Sequence, residues 1–461
     1  MRGITIQNKK ALIEKASTSR DREARIITLN AIEDALNASD PRKIIRRSVK
    51  LQDDDLTVGD LTLDLRGKKV FIVGGGKGSG AMAEALEEIL ADRIKRGIIN
   101  VVKGTKGAFK TQRITLNEGS HPIPNHRGWE GTRWMMQIAR EAGEGDILIC
   151  LISGGGSALM PLPKEGITLE DVQRINEDLL RSGASINEIN AVRKHLSDFK
   201  GGQLAREAHP ARIVSLILSD VVGDPLDVIA SGPTAPDPTT FSEAVGILKA
   251  YNMWKGAPEA VKRTLLRGER GEIPETPKPG DGVFENVSNL VVGNNRMVVQ
   301  AARESLMREG LRALLLSSFI EGEARHVGRV FGSIAREEAN FDAPLPKPAA
   351  VVAGGETTVT VTGGGRGGRN QELVLSACEK MAGLDGVALA SVGTDGLDGF
   401  TDAAGAIADG KTFLKAREEG VNPLEYLRNN DSYSFFRSVG GLIMTGPTAT
   451  NLNDLMVLTA L

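Results

Sequence analysis

Five residues at the end of an apolar run are the first candidates for chemistry. Asp146 to Ile152 reads as a buried parallel strand, and Ser153-Gly154-Gly155-Gly156-Ser157 follows it at once. Three successive glycines let backbone N–H groups converge on an anion without a charged side chain. A carboxylate or a phosphate fits such a turn; a tight strand-end turn is the alternative. Gly74-Gly75-Gly76-Lys77-Gly78-Ser79-Gly80 is a second turn of this kind, between a strand and a helix whose N-terminus also favours an anion. It matches a loose dinucleotide fingerprint at Gly76-x-Gly78-x-x-Ala81. The next strand, however, ends Val101-Val102-Lys103, without the acid that would hold a ribose. Lys77 can instead bring an ammonium to a phosphate, as phosphoryl transfer requires.

Other clusters add carboxylates and guanidinium groups. Ser219-Asp220-Val221-Val222-Gly223-Asp224-Pro225 places two acids four residues apart on a loop. They suit Mg²⁺ as hard oxygen ligands, or one can take a proton from a substrate hydroxyl; an Asx-turn pair is the other reading. Gly363 to Glu372 sets Arg366 and Arg369 in a glycine-rich loop before a helix, where an arginine can clamp phosphate or carboxylate. Gly393 to Asp402, with Asp395, is a third polar strand-end cluster, suited to metal-bound water, a ribose or a capped turn. Gly405 to Thr412 spells the Walker A pattern, but Ala406-Ile407-Ala408 is apolar and residues 393–404 look turn-like. Thr412 is therefore expected to cap the following helix rather than serve a phosphate. The five histidines show no metal-ligand spacing, and no Gly-x-Ser-x-Gly elbow supports acyl transfer.

These turns need strands and helices to carry them. From about residue 70, apolar strands at 70–73, 97–102, 146–152 and 212–219 alternate with helices at 78–95, 129–141, 169–181 and 186–196. Such alternation predicts a doubly wound, mostly parallel sheet with ligands beyond the strands' carboxyl ends. Residues 20–37 read as a helix, 51–68 as a polar loop, and 267–286 as a connection. A second alternation starts at Asn289, with a helix over 296–309 and strands at 312–317, 349–354 and 387–392. The expected architecture is α/β: a Rossmann-like domain over 1–285 and a smaller α/β domain over 286–461. A chain of 461 residues is too long for one ordinary core.

Composition excludes some partners. With 57 basic and 59 acidic residues the formal net charge is −2, so nothing draws DNA, RNA or an anionic membrane to the chain. Aromatics at 4% leave no stacking surface for bases. No apolar run approaches the roughly 20 residues of a membrane span, and the N-terminus lacks a signal-peptide core. Cys150 and Cys378 lie in apolar segments and read as buried thiols. A cytoplasmic protein is the expectation. No residue pattern sets its oligomeric state; homodimers are the commonest assembly.

Taken together, several stretches resemble one family, the class II glycerate 2-kinases with a C-terminal MOFRL domain. They are Gly74 to Lys77, Ser153 to Leu159, Asn187 to Ser197, Ser219 to Asp224 and Ile229 to Thr234. In the second half come Gly354 to Thr357, Gly367 to Glu372, Gly393 to Gly396 and Thr445 to Thr448. The resemblance implies a two-domain α/β kinase with its site in the interdomain cleft, using ATP and Mg²⁺ to phosphorylate D-glycerate on its 2-hydroxyl. It places the family's catalytic lysine, aspartate and arginine on Lys77, Asp220 and Arg369. In the mechanism expected on these grounds, Ser153, Gly154, Gly155, Gly156, Ser157 and Arg193 bind substrate or phosphate. Gly75, Gly76, Asn370 and Asp395 contact the nucleotide, and Asp224 or Glu356 helps hold the metal. Gly78 and Phe400 stand where the family pattern leads one to expect alanine and proline. An NAD(P)H-dependent hydroxypyruvate reductase is the alternative reading.

Overall fold

The computed structural model describes residues 3–461. The chain forms two compact units. One holds residues 41–292; the other joins residues up to 40 with 293–461.

The strands, in chain order, are β1 (Val49–Gln52), β2 (Asp55–Val58), β3 (Leu61–Asp64), β4 (Val70–Gly75), β5 (Ile94–Val102), β6 (Ile114–Gly119), β7 (Ile147–Ile152), β8 (Arg212–Leu218) and β9 (Val287–Gly293). They continue as β10 (Arg312–Glu323), β11 (Ala349–Thr358), β12 (Val387–Gly393), β13 (Gly405–Asp409), β14 (Leu442–Ile443) and β15 (Asp454–Ala460).

In the 41–292 unit, six strands lie in the order β6-β5-β4-β7-β8-β9. The β4–β5, β4–β7, β5–β6 and β7–β8 pairs are all parallel. Every residue of β4 and of β7 is buried, as an apolar run covered on both faces requires. The order reverses between β4 and β7. Connections from β4 run outward one way and those from β7 the other, so the loops leaving these two strands part and open a crevice. Register puts Gly75 beside Ile152, which brings the two glycine-rich turns out side by side.

The other unit carries the mixed order β10-β11-β15-β12-β13-β14. Its C-terminal strand β15 lies antiparallel between β11 and β12, and Asp454 is in register with both Gly355 and Gly393.

Three expectations change. The boundary expected at 285/286 falls differently, because β9 completes the first sheet and does not open a second. Residues up to 40 join the second unit. The helix Ser19–Ala38 packs on β12, β15 and the helix Asn295–Arg308, burying Leu29, Ile32 and Leu36 completely. Its buried Arg25 donates to Asp409 at 2.7 Å. Finally, residues 51–68 are no loop: β1, β2 and β3 form an antiparallel meander with Leu56 and Val58 buried inside it. Its strands are only four residues long, too short for their alternation to stand out among Asp and Thr.

Candidate active site

At the crevice the two glycine turns hold each other. Gly76 has φ +146°, and a Cβ there would come 2.1 Å from the Ser153 Oγ. The Gly76 amide donates to the Asn100 carbonyl at 3.2 Å, Lys77 N–H to the Gly154 carbonyl at 2.8 Å, and Gly78 N–H to Ser153 Oγ at 2.9 Å. The first turn was expected to cradle an anion with these amides; they are spent on the protein instead. Gly75 sits within β4 between Asn100 and Ile152. The expected nucleotide contact through Gly76 therefore lacks a donor, and Gly75 and Gly76 serve close loop packing. Ser153, too, is committed, since its Oγ also lies 3.1 Å from Ser79 Oγ.

That packing gathers charged groups around the second turn. A Cβ at Gly154 would meet the Asp220 carboxylate at 2.3 Å, so only glycine lets Asp220 approach this backbone. A Cβ at Gly155 would stand 2.9 Å from the His121 ring and 3.5 Å from the Lys77 side chain. Lys77, His121 and Asp220 are all partly buried. Burial pushes the Asp220 carboxyl up to about 6, against its own backbone amide and the pull of Lys77. Burial, followed by the Lys77 charge, lowers the pKa of His121.

Behind this cluster lies a cavity of about 560 Å³. Gly155, Ser157, Arg193, Ser197, Lys200 and His121 are among its polar lining, and Pro122, Ile123, Leu162 and Leu180 are among its apolar wall residues. Ser157 Oγ is 2.8 Å from Ser231 Oγ. Gly156 leaves room for Ala230, whose Cβ would stand 2.8 Å from a Cβ at that position. Arg193, expected to bind substrate, projects from the helix Ile186–His195 and is steered by Asn176, whose Oδ1 accepts from its Nε at 2.8 Å. The sequence reading had assigned neither His121 nor Lys200 a role. Lys200 precedes two glycines of positive φ in Lys200-Gly201-Gly202, the one local signal that this side chain is fixed by a turn.

The other unit holds its own polar cluster at the start of the helix Arg369–Met381. Arg369 donates from Nε and Nη2 to both oxygens of Asp454, at 2.6 and 3.0 Å, and its Nη1 is 3.0 Å from Glu356. Burial opposes the guanidinium charge, but Asp454 and Glu356 outweigh it and raise its pKa. The fork expected to clamp a ligand anion is thus engaged with protein carboxylates. Asn370 is buried and spent: its Nδ2 donates to Asp398 and Asp454 at 3.2 and 3.0 Å, and its Oδ1 accepts from Ser391 at 2.6 Å. Its expected nucleotide contact is replaced by an internal one. Asp398 accepts the Asn370 and Gln371 amides and so caps the helix from a distant loop. Asp395 accepts from the Leu397 amide at 3.1 Å in an Asx turn.

Metal ligation finds no ready-made cage. Among the described residues no group of three or more His, Cys, Asp or Glu is placed to hold an ion. Asp224 and Glu356, the expected ligands, belong to different units.

The Walker-like run is disposed of directly. Its first five residues are β13 itself, paired on both sides, with no loop to wrap a phosphate. Thr412 does not cap the next helix. Asp409 does, accepting from the Lys411 and Thr412 amides, each at 3.0 Å.

A domain family of unknown function, DUF4147, matches residues 27–266, and the MOFRL family matches 349–454. A glycerate 2-kinase of Pyrococcus horikoshii is 43% identical, covering 94% of this chain and 97% of its own. The chain belongs to the class II glycerate kinase family. The crystal structure of glycerate kinase from Thermotoga maritima superimposes with a TM-score of 0.83 at 39% identity, covering 98% of this chain and 99% of that one. A relative from Agrobacterium vitis, 38% identical over 95% of both chains, is provisionally named a hydroxypyruvate reductase.

Proposed function

We propose that this family member transfers the γ-phosphoryl group of ATP to the 2-hydroxyl of D-glycerate. The observation that carries the reading is that Lys77 and a partly buried Asp220 come together around Gly154 and Gly155 at the crevice of the parallel sheet, in a chain so similar to named glycerate kinases. A carboxylate with a pKa of about 6 is ionised at neutral pH yet basic enough to take a hydroxyl proton as the oxygen attacks. Lys77, beside it, neutralises charge on the transferring group. The turn Gly154–Ser157 and Arg193 receive the substrate's own anionic end. In the other unit, Arg369 is held ready by Asp454 and exchanges Glu356 for phosphate oxygens. Mg²⁺, carried on the nucleotide phosphates, would neutralise their charge. Asp224 or Glu356 would offer it a single carboxylate; neither belongs to a group of three or more His, Cys, Asp or Glu placed to hold an ion among the described residues.

The reductase reading gains nothing from the site. β5 ends at Val102 and is followed by Lys103, so no acid waits for a ribose, and the fingerprint's Gly76 and Gly78 amides are taken. No helix is long and apolar enough to cross a membrane among the described residues.

The deciding experiment incubates the protein with ATP, Mg²⁺ and D-glycerate and reads products by ³¹P NMR. A 2-phosphoglycerate resonance is expected. A 3-phosphoglycerate resonance would move the reaction to the other hydroxyl. No phosphoester, with NAD(P)H oxidised by hydroxypyruvate, would replace the proposal with the reductase.

A further inference from the structure

We infer that Lys200, together with Arg193, forms the receptor for the substrate's carboxylate, so that negative charge and not size is what this pocket selects. The inference rests on the kinase reading above and adds to it a residue with no assigned role.

Lys200 is 94% removed from solvent, being 6% exposed, yet it lines the cavity. Its Nζ donates to the Met160 carbonyl at 2.8 Å, and its amide to Ser197 Oγ at 3.2 Å. The first bond ties it beneath the helical turn Gly156–Leu159 that continues the Ser153–Ser157 loop. An ammonium has three donors, and this carbonyl uses one. No carboxylate lies within ion-pair distance of Lys200 or of Arg193 among the described residues. The one acid on the cavity wall, Glu177, pairs with Arg181 at 2.7 Å. Nearby Asp198 pairs with Lys164 at 2.8 Å.

Two desolvated cations side by side repel each other and have surrendered hydration, a cost that proteins normally offset with a carboxylate. Here the counter-charge is missing and a cavity takes its place. Burial, then the charge of Arg193, pulls the Lys200 ammonium down to about 7, as expected of a cation without a partner. A guest carboxylate would satisfy both groups through charge-assisted hydrogen bonds. The cavity, at about 560 Å³, is far larger than a three-carbon acid. Its Pro122, Ile123, Leu162 and Leu180 walls are apolar, and its neutral polar residues, Gln173 and Asn176 among them, carry no charge to match a carboxylate. Recognition must therefore come from the cationic end.

The test compares wild type with Lys200→Met and Lys200→Arg, using D-glycerate and, as a neutral analogue, glycerol. Lys200→Met is expected to raise KM for D-glycerate roughly 10- to 100-fold, the worth of one charged hydrogen bond. Its KM for ATP should stay within about twofold of wild type, and Lys200→Arg should recover most of the loss. An unchanged glycerate KM overturns the inference. So does a rise in the KM for ATP, which would make Lys200 a nucleotide contact, or a kcat loss with a large fall in Tm that Lys200→Arg does not reverse, which would make it structural. Should Lys200→Met fail to fold, thermal denaturation of wild type without ATP decides: D-glycerate is expected to raise Tm and glycerol at equal concentration not to. Equal shifts would sink the idea. A wild-type protein that phosphorylates no glycerate at all defeats the kinase proposal itself, an outcome distinct from any of these.

Discussion

On the proposed mechanism, Asp220 and Lys77 set the chemistry at the scale of single residues. The raised Asp220 pKa of about 6 gives a definite pH signature. The base must be ionised to accept a proton, so kcat/KM should fall tenfold per unit as pH drops below about 6, and it should fall again above about 7 as Lys200 loses the charge that receives the substrate. In Asp220→Asn that acid limb should vanish and kcat should drop by about 10²–10⁴. A limb that persists in the Asn variant would mean that another group titrates. Lys77→Ala should lower kcat by a similar order while leaving Tm within a few degrees, measurable by steady-state kinetics with calorimetry. Arg369 calls for more care. Removing it strands Asp454, whose side chain has 0% exposure, without its cation. Arg369→Ala should therefore lose about 1–3 kcal/mol in urea unfolding as well as activity. Only a partial rescue of stability by Asp454→Asn in the same chain would separate the structural part from the chemical one.

Between elements, the links that matter run from loop to helix and from helix to sheet. Arg25, on the helix Ser19–Ala38, reaches Asp409 at the end of β13, and the two side chains are 4% and 2% exposed. Asp409 also caps the helix Thr412–Glu418. Arg25→Met should cost about 3–5 kcal/mol, because it leaves a buried carboxylate unpaired; a loss under 1 kcal/mol by chemical denaturation would contradict that reading. None of this was visible in sequence, since Arg25 and Asp409 are 384 positions apart. What was visible followed from short periods. The largely apolar runs that became β4, β7 and β8 showed the parallel sheet, and the turns after β4 and β7 come out side by side at its crevice. The same local view misread the glycines of Gly74–Gly78. Sequence shows that a turn can expose amides, whereas only the fold shows that Ser153, Gly154 and Asn100 already hold them. Asp454 was missed for a related reason: it opens an apolar strand at the chain's end, and the arginine it serves lies 85 residues earlier.

Taken whole, the molecule is a continuous unit inserted into a discontinuous one. Residues 41–292 carry their own sheet, their own apolar clusters and the Lys77–Asp220 site. A fragment of those residues should fold cooperatively, bind D-glycerate weakly and show no kinase turnover; a fragment without a thermal transition would show that the second unit is needed to stabilise it. Protonation adds a global term. Glu275 is half-buried, which alone would raise its pKa, but hydrogen bonds from His195, the Phe241 amide and Lys278 hold it at about 2. Its folded pKa lies below the unfolded value, so its contribution to stability is complete above about pH 4.3 and fades as pH falls toward 2. Glu275→Gln should narrow the difference in Tm between pH 6 and pH 3.

The placement of the helix Ser19–Ala38 bears on biosynthesis. This helix is made well before the elements that pack on it, the helix Asn295–Arg308 and strands β12 and β15. At typical elongation rates, residues 293–461 take roughly ten to thirty seconds to appear. Through that interval the inserted unit can already be complete while the early helix keeps its apolar face open to solvent or to a chaperone. A nascent chain stalled before β15 should therefore expose that helix to proteolysis, and release of the last strand should protect it.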